Sequence, residues 1–201
     1  MHRAAGGVGS LLLSMKEVGL PNRARVRELL GTLPHPPELG VPPGITDGQI
    51  DGFVRRTGIP VPDQLREWLN IANGPYIGSR ATLGIRTADK YRDIEALLQI
   101  APAWKSKAWI PIASDGCGNY YILPTQQEYG EGYPVVFVEV IEKVDEAAYI
   151  VASDIAHFLA FLMEDELKLS DKWPFEKAYV TNRDPEIVKF HNVALPWGNG
   201  E

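Results

Sequence analysis

The sequence has a single cysteine, Cys117, so no intramolecular disulfide can form and no second thiolate is available for a zinc site. Long apolar runs are missing too. Leu11 to Leu13 falls well short of the roughly 7–15 residues of a signal-peptide core, and no run reaches the about 20 needed to cross a bilayer. These gaps point to a soluble chain in a reducing, cytoplasmic setting, with no membrane partner. Histidine is scarce: His2, His35, His157 and His191 are scattered, and no two are spaced i, i+4 as paired metal ligands on a helix would be. Gly116-Cys-Gly118 lacks the spacing and the lysine of a phosphate loop, and Gly6-Gly-Val-Gly9 follows no strand pattern. No Gly-x-Ser-x-Gly elbow occurs. Cys117 lies between glycines beside Asp115, the reverse of the electropositive setting that makes a thiol reactive. Carboxylate pairs such as Glu142 with Asp145 and Glu164 with Glu166 sit in acidic stretches and read as surface solvation. We therefore expect no catalytic residue, no metal and no cofactor.

What is present suits a packed domain. Hydrophobic residues make up 45% of the 201, a length that fits one domain with extensions. The formal net charge of −6 argues against nucleic acid as a partner. Its distribution is uneven. Residues 1–127 carry 14 Lys+Arg against 11 Asp+Glu, a balance of +3. Residues 128–171 carry 11 acidic groups against Lys143 and Lys168, a balance of −9, and residues 172–201 carry four of each sign. The plain reading of the middle stretch is a solvated acidic face; the functional reading is a docking surface for a basic partner.

Along the chain, residues 1–20 are rich in glycine and serine without a clean period, as in a mobile tail. Asn22 precedes a short helix, Arg23 to Leu30, with Gly31 as its stop. Pro34, Pro36, Pro37, Pro42 and Pro43 make 34–44 an extended linker, since proline lacks the N–H a helix needs. Thr46 and Gln49 have capping-box spacing before Ile50, Phe53 and Val54, and Gly58 closes that helix. Leu65, Trp68, Leu69 and Ala72 form the apolar stripe of a second helix, which Asn73-Gly74 stops. Ala81 to Ile85 reads as a strand and Tyr91 to Ile100 as a helix. Trp109 to Ala113 and Asn119 to Leu123 read as a hairpin around Ser114–Gly118, with Pro111 demanding an edge position or a bulge. Val135 to Ile141 and Ala147 to Val151 are further strands. Ser153 caps a last major helix, with Asp154 in its first turn and Ile155, Phe158, Leu159 and Leu162 facing inward. Helices, then strands, then a helix is an α+β order. Trp173, Phe175, Tyr179, Phe190 and Trp197 are too many large rings for a disordered tail, so 171–201 should pack back on the domain, with Asp184-Pro185 opening a short helix. The expected organisation is a flexible extension over 1–45, a domain over 46–170 and this tail.

The series Gly58-Ile-Pro-Val-Pro62, Leu65, Trp68, Leu69, Asn73-Gly74, then Trp109-Ile-Pro-Ile-Ala113, Asp115-Gly116, Gly118-Asn119-Tyr120-Tyr121, and finally Ser153, Phe158 and Leu159 resembles the SUKH superfamily over roughly 46–167. Val61-Pro62 stands where that family has Leu-Pro. The resemblance implies a mixed, twisted, antiparallel-rich sheet packed on helices and no general catalytic site. It implies one of two roles. Many bacterial members look like immunity proteins that bind and neutralise a toxin, often a nuclease; relatives of the Smi/Knr type act as regulators or scaffolds in cell-wall signalling.

The leading expectation is an immunity-type protein whose partner is a basic toxin domain. A nuclease must be basic to hold phosphates, and a negative surface would steer it in and imitate its substrate's charge. The candidate contact groups are Glu128, Glu131, Glu139, Glu142, Asp145 and Glu146, around the Val135–Ile141 strand and its flanking turns. Strand alternation puts Glu139 on the face of Val135 and Phe137, which counts against its pointing freely to solvent.

Overall fold

The computed structural model of the chain describes residues 23–34 and 40–198. The expected tail over 1–20, the Asn22 cap, His2, His35, and Pro36 and Pro37 of the linker lie outside the described residues. The described elements run α1 (Arg23–Thr32), α2 (Asp47–Thr57), α3 (Asp63–Ile71), β1 (Tyr76–Ile77), β2 (Arg80–Ala81), α4 (Ile94–Ile100) and α5 (Pro102–Ser106). Then come β3 (Trp109–Ser114), β4 (Tyr120–Pro124), β5 (Val135–Val138), β6 (Tyr149–Ala152), α6 (Ile155–Glu166), α7 (Lys177–Arg183) and a 3-10 turn over Pro185–Lys189. The class is α+β. A four-stranded antiparallel sheet in the order β3-β4-β5-β6 accompanies a small β1-β2 hairpin. Parallel pairing enters as the isolated bridge between Gly84 and Asp93.

The first domain helix forms as its capping box dictates. Gln49 N–H donates to Thr46 Oγ1 at 3.4 Å, Thr46 N–H donates to Gln49 Oε1 at 2.9 Å, and Gly58 ends α2 at φ 76°. Asn73-Gly74 does something other than stop α3. The helix ends at Ile71 with Ala72 already extended, and the pair acts beyond it. Asn73 Nδ2 donates to Ile85 O at 2.9 Å while Ile85 N–H donates to Asn73 Oδ1 at 2.8 Å. The side chain thereby copies a strand partner for the 84–86 loop. Gly74 sits at φ 74°, and a Cβ there would lie 2.9 Å from Gly84 N, so both conformation and space require glycine.

In the sheet, Pro111 produces the bulge its missing donor demands. The β3–β4 register shifts between Pro111 and Ala113, and β3 is an edge strand. The expected strand over Ala81–Ile85 is shorter, since β2 stops at Ala81. Thr82 and Leu83 instead lie along the outer rim of β3, with Leu83 N–H donating to Ile112 O at 2.8 Å. On the opposite rim, Ile150 N–H of β6 donates to Ala194 O at 2.9 Å. β5 stops at Val138 and not at Ile141, because Glu139 O takes the Glu142 and Lys143 amides and turns the chain out of the sheet. The helix expected over Tyr91–Ile100 starts at Ile94, where Asp93 accepts from Ala96 N–H. Asp154, not Ser153, caps α6; its Oδ1 accepts from His157 N–H at 2.8 Å, while the Ser153 amide donates to Asp184 Oδ2 at 2.7 Å.

α6 is buried along most of its length and organises the core. On one flank α1 lays Val26, Leu29, Leu30 and Leu33 into the same core, so packing extends N-terminal to Thr46; α1 also runs through Gly31 instead of stopping there. On another, Trp173 enters between Tyr121, Phe158 and Phe161 with ring centroids 6.0 to 6.2 Å away, and its Nε1 donates to Val151 O at 3.0 Å. Full burial of such a ring contributes about 1.5–3 kcal/mol. Phe190 is buried as well, whereas Phe175 is 62% exposed. Both flanks converge on one acid: Glu164, 4% exposed, receives Arg25 at 3.2 Å from α1 and Arg183 at 2.6 Å from α7.

Candidate functional site

Residues 139–148 leave β5 as a rigid, acidic excursion. Lys143 N–H and Glu142 N–H each donate to Glu139 O at 3.0 Å, and Ala148 N–H returns to Phe137 O at 2.8 Å. Three side chains from elsewhere seize its backbone. Val140 N–H donates to Asn119 Oδ1 at 3.2 Å, Trp104 Nε1 donates to Val144 O at 2.5 Å, and Lys107 Nζ donates to Asp145 O at 2.6 Å. With its backbone held at these points, the loop turns its acidic side chains outward. Glu139, Glu142, Asp145 and Glu146 are exposed. Ile141 stands among them at 90% exposure. Glu139, Glu142, Lys143 and Glu146 line a shallow depression of about 180 Å³.

The six candidate contact groups fall into three situations. Glu139 is exposed, contrary to the strand-face argument, because β5 has ended one residue earlier. Glu139, Glu142 and Asp145 have no ion-pair partner among the described residues, and Glu146 is paired with Lys143 at 2.6 Å. Glu128 belongs to the separate 125–134 loop and accepts a hydrogen bond from Trp109 Nε1. Burial first, then the charges of Glu128 and Glu146, push the Tyr129 phenol upward. Lys107, 4.6 Å from the Trp109 ring centroid, ties the 139–146 loop to β3. Glu131 stands apart, between Gly130 and Gly132, which abut His191 and Phe190 of the C-terminal segment.

Sequence reading missed Asp115. Burial, followed by the charges of Glu139 and Asp115, raises Tyr149 to about 12, and Val140 N–H donating to Asn119 Oδ1 sets the 115–119 turn beside the 139–146 loop. The signal was in the strand register, which pairs Tyr120 with Val138 and so brings that turn beside the loop. Both Asp115 oxygens are engaged within the turn: Oδ1 accepts from Cys117 N–H at 2.7 Å and Asn119 N–H at 3.0 Å, and Oδ2 accepts from Asn119 Nδ2 at 2.8 Å.

Of the five remaining acids of the −9 stretch, three are answered by charge. Glu164 is held by Arg25 and Arg183, Asp165 by Arg80 at 2.6 Å, and Asp154 by His157 at 2.9 Å. The outward negative surface is therefore narrower than 128–171. Cys117 is exposed in its turn. Among the described residues no group of three or more His, Cys, Asp or Glu is placed to hold a metal ion, and no helix is long and apolar enough to cross a membrane.

Comparison with known families gives a match. The model of the SMI1 / KNR4 family (SUKH-1) covers residues 44–160, from the proline linker through the sheet to the middle of α6. No curated protein matches the chain.

Proposed function

The chain belongs to the SMI1 / KNR4 family (SUKH-1), and from that premise we propose that it is an immunity-type protein that binds a basic toxin domain stoichiometrically and blocks it. The family supports a non-catalytic, protein-binding role of the immunity or Smi/Knr kind. The observation that carries the finer reading is the anchored 139–146 loop. Glu139, Glu142 and Asp145 face solvent without ion-pair partners among the described residues, around an exposed Ile141. A partner that neutralises these acids needs basic groups, and an active site that grips phosphates supplies them. Such fields act mainly on association rate and fade beyond a Debye length of about 8–10 Å at physiological salt. Ile141 would add a desolvated apolar contact at the centre of a charged rim, the arrangement in which interface energy concentrates.

The test is kinetic. Toxin recovered by co-purification from the native host is titrated against the parent and against the triple variant Glu139→Lys, Glu142→Lys, Asp145→Lys. The variant should associate at least about tenfold more slowly at low salt and show a flatter salt dependence. Equal association rates would remove the loop from the interface. A co-purifying partner that is a signalling or wall-synthesis protein, with no toxin activity to neutralise, would favour the regulatory Smi/Knr role instead.

A further inference from the structure

One aromatic stack of the core runs out to the surface beside the acidic loop. It starts at Tyr121, packed on Phe158, and passes to Phe137 with centroids 5.2 Å apart. Phe137 stacks on Tyr149 at 5.2 Å, and the Phe175 ring meets Tyr149 edge-on at 6.2 Å. Phe137 is buried, Tyr149 half-buried and Phe175 62% exposed. Phe175 is held in place. Trp173, two residues earlier, is buried and donates from Nε1 to Val151 O at 3.0 Å. Glu176 N–H donates to Lys172 O at 2.9 Å, closing the turn that carries the ring. A lone exposed ring is ordinary on a protein surface. This one continues a packed stack and borders on charge. Tyr149 pairs with Phe137 in the β5–β6 register, Ala148 N–H donates to Phe137 O at 2.8 Å, and Ala148 lines the same depression as Glu139. The rings thus stand at the foot of the returning leg of the 139–146 loop.

Several other rings are covered by the chain's own cations. Arg92 lies 4.4 Å from the Tyr76 centroid, Lys107 4.6 Å from that of Trp109, and Arg183 5.2 Å from Phe161 and 5.1 Å from Tyr179. Among the described residues no lysine or arginine lies over Tyr149 or Phe175, and Glu139 is exposed without an ion-pair partner. Lys172 and Glu176, on either side of Phe175, are paired with each other at 2.8 Å. An open ring and an open carboxylate therefore flank Tyr149. A guanidinium satisfies both at once, since its plane lies on an aromatic face while its donor fork reaches a carboxylate. An ammonium is a compact, strongly hydrated charge and stacks less well. We propose that Phe175, Tyr149 and Glu139 form a seat for an arginine side chain of the protein partner. The inference rests on the partner-binding reading of the 139–146 loop and names the group the partner brings to it. Because the turn over 172–176 is already closed, seating the guanidinium orders little on this side of the interface.

Titration of the full chain with a tri-arginine peptide blocked at both ends, followed by NMR, tests this, with the matching tri-lysine peptide as control. Tri-arginine should shift the ring signals of Phe175 and Tyr149 and bind about two- to fivefold more tightly than tri-lysine, the margin of an exposed cation–ring contact. Phe175→Ala should abolish that margin. Phe175→Leu, which keeps apolar bulk and loses the aromatic face, should abolish it too and keeps the test open should the alanine variant not fold. Glu139→Gln should weaken both peptides. Equal affinity for the two peptides in the parent, or an arginine preference that survives in a folded Phe175 variant, overturns the proposal. Slower toxin association by the triple charge variant, found together with no arginine preference, would keep the loop as a docking surface and overturn the seat alone.

Discussion

Replacing Glu164 by glutamine keeps the shape of the side chain and removes the charge that α1 and α7 both grip. Glu164 is 4% exposed, so the amide cannot be rescued by solvent. The stronger leg is Arg183, 2.6 Å away with its side chain 23% exposed. Removing one member of a buried pair costs about 3–5 kcal/mol, and because this arginine is partly wet the lower end applies, about 3 kcal/mol. Arg25 adds little. Its side chain is 37% exposed and it keeps Glu28 at 3.1 Å, which places that leg in the surface range of about 0.2–1 kcal/mol. At about 2–4 °C per kcal/mol for a chain of this size, Glu164→Gln should lower Tm by about 6–12 °C, read by calorimetry or circular dichroism. Glu28→Gln, on the exposed side of the same arginine, should move Tm by under about 2 °C. A double variant, Glu164→Leu with Arg183→Met, should recover much of the loss, since apolar replacements often match a buried pair. If Glu164→Gln melts within about 2 °C of the parent, the two guanidiniums are not holding the flanking helices and the reasoning fails.

Two further outcomes follow from the packing. Trp68, 3% exposed where α3 meets the core, should cost about 3–5 kcal/mol when cut to alanine. Urea titration measures it, and an unchanged midpoint would remove Trp68 from the core. Asn73→Ala should cost about 1–3 kcal/mol by stranding the amide and carbonyl of Ile85; Asn73→Asp, which restores only the acceptor, should fall between alanine and parent in the same titration, and a parent-like alanine variant would deny the bridging role.

Local chemistry was legible wherever neighbours in sequence decide the outcome. Thr46 with Gln49 specifies a cap within one helical turn, and Pro111 removes a donor whatever surrounds it, so the α2 start and the β3 bulge were readable. Asn73-Gly74 was readable as a break but not as a bridge, because its partner Ile85 lies 12 residues on and comes near only after the 76–81 hairpin folds. Ser153 and Asp154 are both good caps, and the choice between them was made by Asp184, 31 residues away, which takes the Ser153 amide. The acidic surface was half legible for a similar reason. Charges adjacent in sequence were visible as a run. Their cancellation by Arg25, Arg80 and Arg183, and the arrival of Asp115 beside Glu139, depend on long-range pairing that no local pattern encodes.

The two rims of the four-stranded sheet have a consequence for how copies of this molecule meet. A strand from a neighbour needs a row of vacant amides to zip onto. Along β3 the Ile112 carbonyl already takes the Leu83 amide beside the Thr82–Ala113 bridge, and along β6 the Ile150 amide is given to Ala194. Crowded copies therefore encounter sealed borders where an open seam would invite stacking. The β6 seal is fastened close to the end of the described chain, at Ala194. Enzymatic nibbling past that residue would unfasten it and strip away the half-buried Leu195 and Trp197 that pack against the core, so the sticky species in an ageing sample would be the shortened one.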